Sequence, residues 1–91
     1  MRRPAPYRST PVFDEMTLPA ALRGERRTKA GVWGVIRVIE GSLKLHFPDP
    51  RLDKTLTPDN PGHILPEQPH FVEPIGPVRV QVDFYNGPPV I

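Results

Sequence analysis

The chain has 91 residues and no cysteine, which suits one compact domain and excludes disulfide bridges, thiol catalysis and cysteine metal sites. Its formal charge is +2, and residues 1–30 hold seven of the twelve basic side chains against three of the ten acids. No apolar stretch reaches the roughly 18 to 20 residues of a membrane span and no secretion signal follows Met1, so we expect a cytoplasmic location and no membrane partner.

The N-terminal part of the chain predicts an arm followed by a short helix. Pro4 and Pro6 interrupt regular structure, so we assign residues 1–10 to an extended arm and residues 11–91 to the folded domain. Residues 18–22 contain helix formers after Thr17 and Pro19, which predicts one or two helical turns. No other segment has the apolar spacing of a helix, and the rest of the domain should therefore be β-structure.

The middle of the chain predicts two strands. Residues 32–39 are rich in β-branched side chains and apolar on both alternating faces except at Arg37, as in a strand that is buried on two sides. Residues 42–47 then alternate between apolar and polar side chains. Because Gly41 lies between these segments, the pattern predicts a β-hairpin.

The remaining strands are short and are separated by proline and glycine. We predict strands near residues 54–57, 63–65 and 70–73, a break at Pro74, a turn at Gly76 and Pro77, and a final strand over residues 78–85. The final strand places four apolar side chains on one face: Val78, Val80, Val82 and Phe84. Short strands with turns about every 8 to 12 residues predict an antiparallel sheet that closes into a barrel.

Three segments resemble the cupin-like domain of TehB tellurite-resistance proteins and of YeaR-like proteins. They are YRSTPVF at residues 7–13, RTKAGVWGVIRVIEGSL at residues 27–43, and PEQPHFVE at residues 66–73. The resemblance implies an all-β fold, a cupin-like double-stranded β-helix or jelly-roll barrel, as a single small domain. In TehB proteins a separate C-terminal domain transfers the methyl group, and its glycine-rich cofactor loop has no counterpart here, so we expect no methyltransferase activity.

The resemblance also brings a metal hypothesis. Cupins commonly bind a divalent metal through a His-x-His…Glu group and one later histidine, and His70 occupies the place of the later histidine. Arg26 and Thr28 stand where the earlier histidines would be, and Val32 and Trp33 stand near the glutamate position. A guanidinium repels a cation, and one imidazole is fewer than the usual three or four ligands. We therefore expect no cofactor, with a divalent metal at His70 as the weaker alternative.

The same positions suggest a ligand pocket formed by Arg26, Thr28, Lys29, Trp33 and His70. Cationic and hydroxyl donors beside an aromatic wall suit a small molecule, and an oxyanion in particular. In the structural alternative Trp33 packs in the core and His70 is a hydrogen-bonded histidine at the barrel mouth.

No residue has a persuasive catalytic partner, so we assign no catalytic residue and expect a non-catalytic or accessory domain linked to tellurite or oxyanion stress resistance. A minimal metal-dependent cupin enzyme that uses His70 is the alternative. The small core favours a homodimer. Nucleic acid is not an expected partner, because the basic cluster lacks interleaved aromatic side chains.

Overall fold

The structure is a computed structural model that describes residues 5–89. The described residues form six strands and one short helix, in the order β1 (Arg8–Ser9), β2 (Phe13–Asp14), α1 (Ala20–Arg23), β3 (Trp33–Pro48), β4 (Arg51–Leu56), β5 (Gly62–Ile64) and β6 (Phe71–Tyr85). All strands join one antiparallel sheet in the order β1-β6-β3-β4, with β2 also beside β6 and β5 also beside β3. The all-β prediction is confirmed, and the predicted short helix is α1. No helix in the described residues is long and apolar enough to cross a membrane.

Two long strands, β3 and β6, form the centre of the sheet. They pair from Trp33 opposite Tyr85 to His46 opposite Phe71. The predicted hairpin at Gly41 and the predicted break at residues 74–77 are therefore wrong, because both strands continue through these positions. The extra residues are accommodated as bulges, where the register shifts between Val38 and Glu40 and again between Gly41 and Ser42.

The bulges divide β3 into two halves with different neighbours. Residues 34–36 pair with β5, whereas residues 43–48 pair with β4. Since a bulge bends a strand and increases its twist, the two halves curve around one core. The core contains the predicted inner faces of residues 43–47 and 78–82. Ile36, Val38 and Val72 from the same two strands complete it, with Leu18, Leu56 and Ile64 from neighbouring segments.

The curved sheet remains open within residues 5–89. Its hydrogen-bonded path ends at β1 on one side and at β4 on the other, so the prediction of a closed barrel is wrong for this part of the chain. The strands on the β1 side have only two residues each, which is too short to extend the ladder around the core. Near α1 the core is covered by apolar side chains, since Leu18 belongs to the core and Leu22 packs against it.

The predicted arm is partly included in the sheet. Tyr7 N donates to Phe84 O and Thr10 N donates to Val82 O, both at 2.9 Å, on either side of β1. Residues 1–4 and 90–91 lie outside the described residues. The division of the chain at residue 10 therefore stays a prediction.

The outer face of the sheet contains a buried carboxylate with several donors. Asp83 is 5% exposed and accepts hydrogen bonds from Ser9 Oγ at 2.7 Å and from Arg37 Nε at 2.6 Å. Arg37 also donates to Gln81 Oε1 at 2.7 Å. Burial by itself raises the pKa of Asp83, but the hydrogen bonds from Arg37 and Ser9 lower it more, and the net pKa lies below the ordinary value.

The bend in β3 predicts a strong effect of a side chain at Gly41. Its φ is +85° and an added Cβ would overlap Pro77 O, whereas Gly76 has φ +67° with nothing within 4 Å of an added Cβ. We expect Gly76→Ala to lower the free energy of unfolding by about 1 kcal/mol and Gly41→Ala by about 3 kcal/mol, since only the second adds a clash to the left-handed strain. Urea denaturation measures both, and equal losses would contradict the close approach at Gly41.

The Asp83 network predicts a pH-dependent contribution to stability. Because the pKa of Asp83 is lower in the folded state than in the unfolded state, its contribution is present above about pH 4 and is lost as the pH falls through the folded pKa. Asp83→Asn should cost about 2 kcal/mol at pH 7 and much less near pH 2. Urea denaturation at both pH values, with the exposed Asp59→Asn as the control, tests this. A cost that does not change with pH would contradict it.

Candidate functional site

The site is built on a backbone bridge between Arg26 and His70. Each residue donates its N–H to the carbonyl oxygen of the other at 2.9 Å, in an isolated antiparallel bridge outside the named strands. Two residues that exchange both hydrogen bonds lie about 5.5 Å apart at Cα, with their side chains on the same face. Both line one inner cavity together with Thr28, so the structure brings together three of the five predicted site residues there.

The inner cavity is small and mostly apolar. Its volume is about 30 Å³, which is room for a water molecule or a single hydroxyl group. Nine of its twelve lining residues are apolar, and the polar ones are Arg26, Thr28 and His70. A whole organic ligand or oxyanion does not fit inside this space.

A larger and strongly basic opening lies next to the inner cavity. Its volume is about 210 Å³, and we call it the basic mouth; it is lined by Tyr7, Arg8, Arg26, Arg27, Thr28, Lys29, Val32 and Phe84. Four of these eight side chains are cationic and none is acidic. Arg26, Thr28 and Phe84 line both spaces and therefore lie between them. A concave surface lined by one sign of charge attracts ions of the opposite sign.

The hydroxyl group of Thr28 forms two hydrogen bonds with the loop before His70. Oγ1 donates to Leu65 O at 3.2 Å and accepts from Glu67 N at 3.1 Å. These bonds hold the loop before His70 against the segment that contains Arg26. Thr28 thus lines both spaces with a hydroxyl that is already engaged, while Lys29 lies in the basic mouth as an exposed cation.

Trp33 is not brought to either space. The strand alternation that points Ile36 into the core places Trp33 on the outer face, where it stands opposite Tyr85 in the ladder. Phe84 supplies the aromatic wall instead. The sequence analysis also missed Arg8, which reaches the mouth because it pairs with Phe84 in the sheet. Only that long-range pairing identifies it, since it belongs to the predicted arm.

His70 lines the inner cavity, and one of its ring nitrogens is unprotonated. Its Nδ1 lies 2.9 Å from Gln68 O, and because a carbonyl oxygen only accepts, Nδ1 carries the hydrogen in the neutral ring. Nε2 is then a lone-pair acceptor. Burial lowers the pKa of His70, the Gln68 bond opposes this, and the charge of Arg26 lowers the pKa further, for a net decrease. The ring is therefore neutral at neutral pH.

Metal-ligating side chains do not gather around His70. The part of the chain that the structure describes contains no group of three or more His, Asp or Glu side chains arranged to hold a metal ion. The partner of His70 across the bridge is a cation, which opposes metal binding.

A second titratable cluster lies on the outer face and links three strands. His46 Nδ1 is 2.7 Å from Asp53 Oδ1, and His46 Nε2 is 2.5 Å from Glu73 Oε1, although the second contact lacks hydrogen-bond geometry. The two carboxylates approach opposite edges of the ring, so one ion cannot bind all three groups. The His46 ring also stacks on Phe71 at 4.6 Å. The hydrogen bond to Asp53 is the main reason why the pKa of that carboxyl is lowered.

Comparisons with known proteins identify the family and the fold. The family model of the TehB-like domain matches residues 8–82. The crystal structure of TehB from Haemophilus influenzae has a TM-score of 0.81 and 25% identity, and the match covers 91% of this chain and 31% of that chain. A protein from E. coli (strain K12) has a TM-score of 0.82 at 21% identity, with 97% of this chain and 95% of that chain covered. The chain thus spans about a third of the length of TehB. A search of curated protein sequences finds no match.

The environment of His70 predicts a neutral ring with hydrogen on Nδ1. In ¹⁵N–¹H NMR spectra of the imidazoles, we expect this tautomer for His70 and a titration midpoint below 6.5. Because the folded pKa is below the unfolded one, stability should fall as the pH drops from about 6.5 through the folded pKa. Loss of the signal in His70→Asn assigns it, and a hydrogen on Nε2 in the neutral ring would contradict the geometry.

Proposed function

The chain belongs to the family of TehB-like domains, and on that premise we propose that it is an accessory, non-catalytic domain that binds a small oxyanion and contributes to resistance against tellurite or related oxyanions. TehB from Haemophilus influenzae is a much longer chain, of which this domain corresponds to 31%. The proposal therefore concerns the domain alone. It includes no reaction of the larger protein.

The observation that carries the proposal is the charge of the basic mouth. Arg8, Arg26, Arg27 and Lys29 line a space of about 210 Å³ with no acid among the lining residues. This volume is below the roughly 300 to 1,000 Å³ of typical pockets for drug-sized ligands, which favours a small ion. Guanidinium and ammonium groups form charge-assisted hydrogen bonds with oxyanions, and Arg can form two at once.

The chemistry of the lining residues supports binding without catalysis. His70 is the one lining group of either space whose ordinary pKa is near neutral, and its Nδ1 is bound to a backbone carbonyl. No lining residue is a carboxylate, and the Thr28 hydroxyl, which lines the same cavity as His70, is engaged with Leu65 and Glu67. The cation beside His70 also disfavours a metal-dependent reaction, so we propose no cofactor.

The wider features of the domain remain proposals. The long curved pair β3 and β6, with short strands on both sides, supports a reduced, open form of the cupin-like double-stranded β-helix. The modest core supports a homodimer, which sedimentation over a dilution series would test. The absence of cysteine in all 91 residues is compatible with a cytoplasmic location. Neither nucleic acid nor a membrane is proposed as a partner.

Substitution of Arg26 should weaken oxyanion binding. We expect the native chain to bind tellurite in isothermal titration calorimetry, and Arg26→Gln to raise the Kd about 10- to 100-fold, as expected for the loss of a hydrogen bond to a charged group. The matched control is Arg51→Gln, which removes the same charge from an exposed position on β4 outside the mouth.

The two variants separate a built site from general electrostatic attraction. Equal weakening by Arg26→Gln and Arg51→Gln would show that only net charge matters. If the native chain binds none of tellurite, selenite and phosphate, the proposed function is wrong.

A further inference from the structure

The position of His70 defines the kind of oxyanion, if the proposed function holds. His70 is 5% exposed and lines the inner cavity, and within residues 5–89 its ring has one side-chain hydrogen bond, from Nδ1 to Gln68 O. Nε2 is the other polar atom of the ring. In the neutral ring Nε2 can only accept a hydrogen bond, so it cannot bind an anion that has no hydrogen to donate.

The sizes of the two spaces determine which part of a ligand can reach His70. The basic mouth has room for a small oxyanion, whereas the inner cavity of about 30 Å³ has room for one hydroxyl group. Because Arg26 lines both spaces, an anion held by its guanidinium in the mouth can extend a single oxygen toward the imidazole.

The protonation of that oxygen decides whether the contact is favourable. A deprotonated oxygen would face the lone pair of Nε2 in a mostly apolar space with no hydrogen between the two acceptors, which is unfavourable. An O–H group donates to Nε2 and satisfies both atoms. A lone water molecule in the same cavity would have few polar partners, since the lining is mostly apolar.

We propose that the ligand is an oxyanion that keeps one hydroxyl group near neutral pH, with its charged oxygens at Arg26 in the basic mouth and its O–H donating to Nε2 of His70. This class contains the singly protonated forms of weak oxyacids, such as hydrogen tellurite, hydrogen selenite and hydrogen phosphate. It excludes the fully ionised anions of strong acids, such as sulfate, selenate and nitrate. His70 is thus the residue that determines specificity, and Arg26 supplies the charge attraction that all oxyanions share.

Matched pairs of anions test the hydroxyl requirement. At pH 7.5 phosphate is mainly a dianion that carries one O–H, and sulfate is a dianion of similar size without one. Selenite, mainly a monoanion with one O–H, and selenate, a dianion without one, make a second pair in which charge alone favours selenate. Calorimetry should show that the native chain binds phosphate and selenite at least about tenfold more tightly than sulfate and selenate, the range expected for one hydrogen bond to a charged ligand.

Two substitutions of His70 isolate Nε2. In His70→Asn the amide can keep the Nδ1-type bond to Gln68 O but has no acceptor at the Nε2 position, so phosphate and sulfate should bind equally. In His70→Gln the side-chain oxygen can reach the Nε2 position, and part of the preference should return. Thermal melting checks that both variants fold, and a change in the Nε2 NMR shift of the native chain on addition of phosphate provides a readout without substitution.

The outcomes separate this inference from the proposed function. If phosphate and sulfate bind the native chain equally and Arg26→Gln weakens both, the mouth binds oxyanions and the hydroxyl requirement is wrong. A preference for phosphate that persists in His70→Asn also overturns the role of His70. If no oxyanion binds, the proposed function itself fails.

Discussion

The antiparallel pairing of β3 with β6 is the constraint on which the rest of the structure depends. His70, directly before β6, and Phe84, near its end, both line the inner cavity. In a straight strand these residues would be about 46 Å apart, at roughly 3.3 Å per residue. Both ends of β6 can line the same cavity because the bulges around Gly41 bend the two long strands in the middle. The site therefore depends on a bend that lies far from it in sequence.

The bend also determines how charge is distributed around the site. Arg26 is fixed by its backbone to buried His70, yet its side chain remains exposed at the basic mouth. This arrangement keeps the cations hydrated at the rim and places a neutral imidazole inside, which avoids the large cost of burying an unpaired charge. If the proposed function holds, attraction and selection belong to different residues: the cations of the rim attract any anion, and His70 accepts a hydrogen bond only from an anion that carries a hydroxyl group.

Much of the core could be predicted from the sequence, because strand alternation is a local property. The inner faces of residues 43–47 and 78–84 follow from period two alone. Continuity of the strands could not be predicted, because glycine with positive φ serves equally in a turn and in a bulge, and the choice depends on the partner strand. The same bulge shifts the alternation of β3, so that Ile36 and Leu43 share a face that Trp33 does not. Trp33 was expected in the pocket from the family resemblance, whereas Arg26 and His70 do line one cavity and are joined there by a backbone bridge.

The link between the bend and the site has a consequence for the energetics of the domain. A chain of 91 residues has a modest core and a small margin of stability. Any ligand that binds only the folded mouth stabilises the folded state by mass action. Because the two spaces at the site are lined by residues from both ends of β6 and from the segment that contains Arg26, a bound anion is held only while these parts remain together. If the proposed function holds, ligand binding and the curvature of the sheet are therefore thermodynamically coupled, since the bridge between Arg26 and His70 joins two of the lining segments.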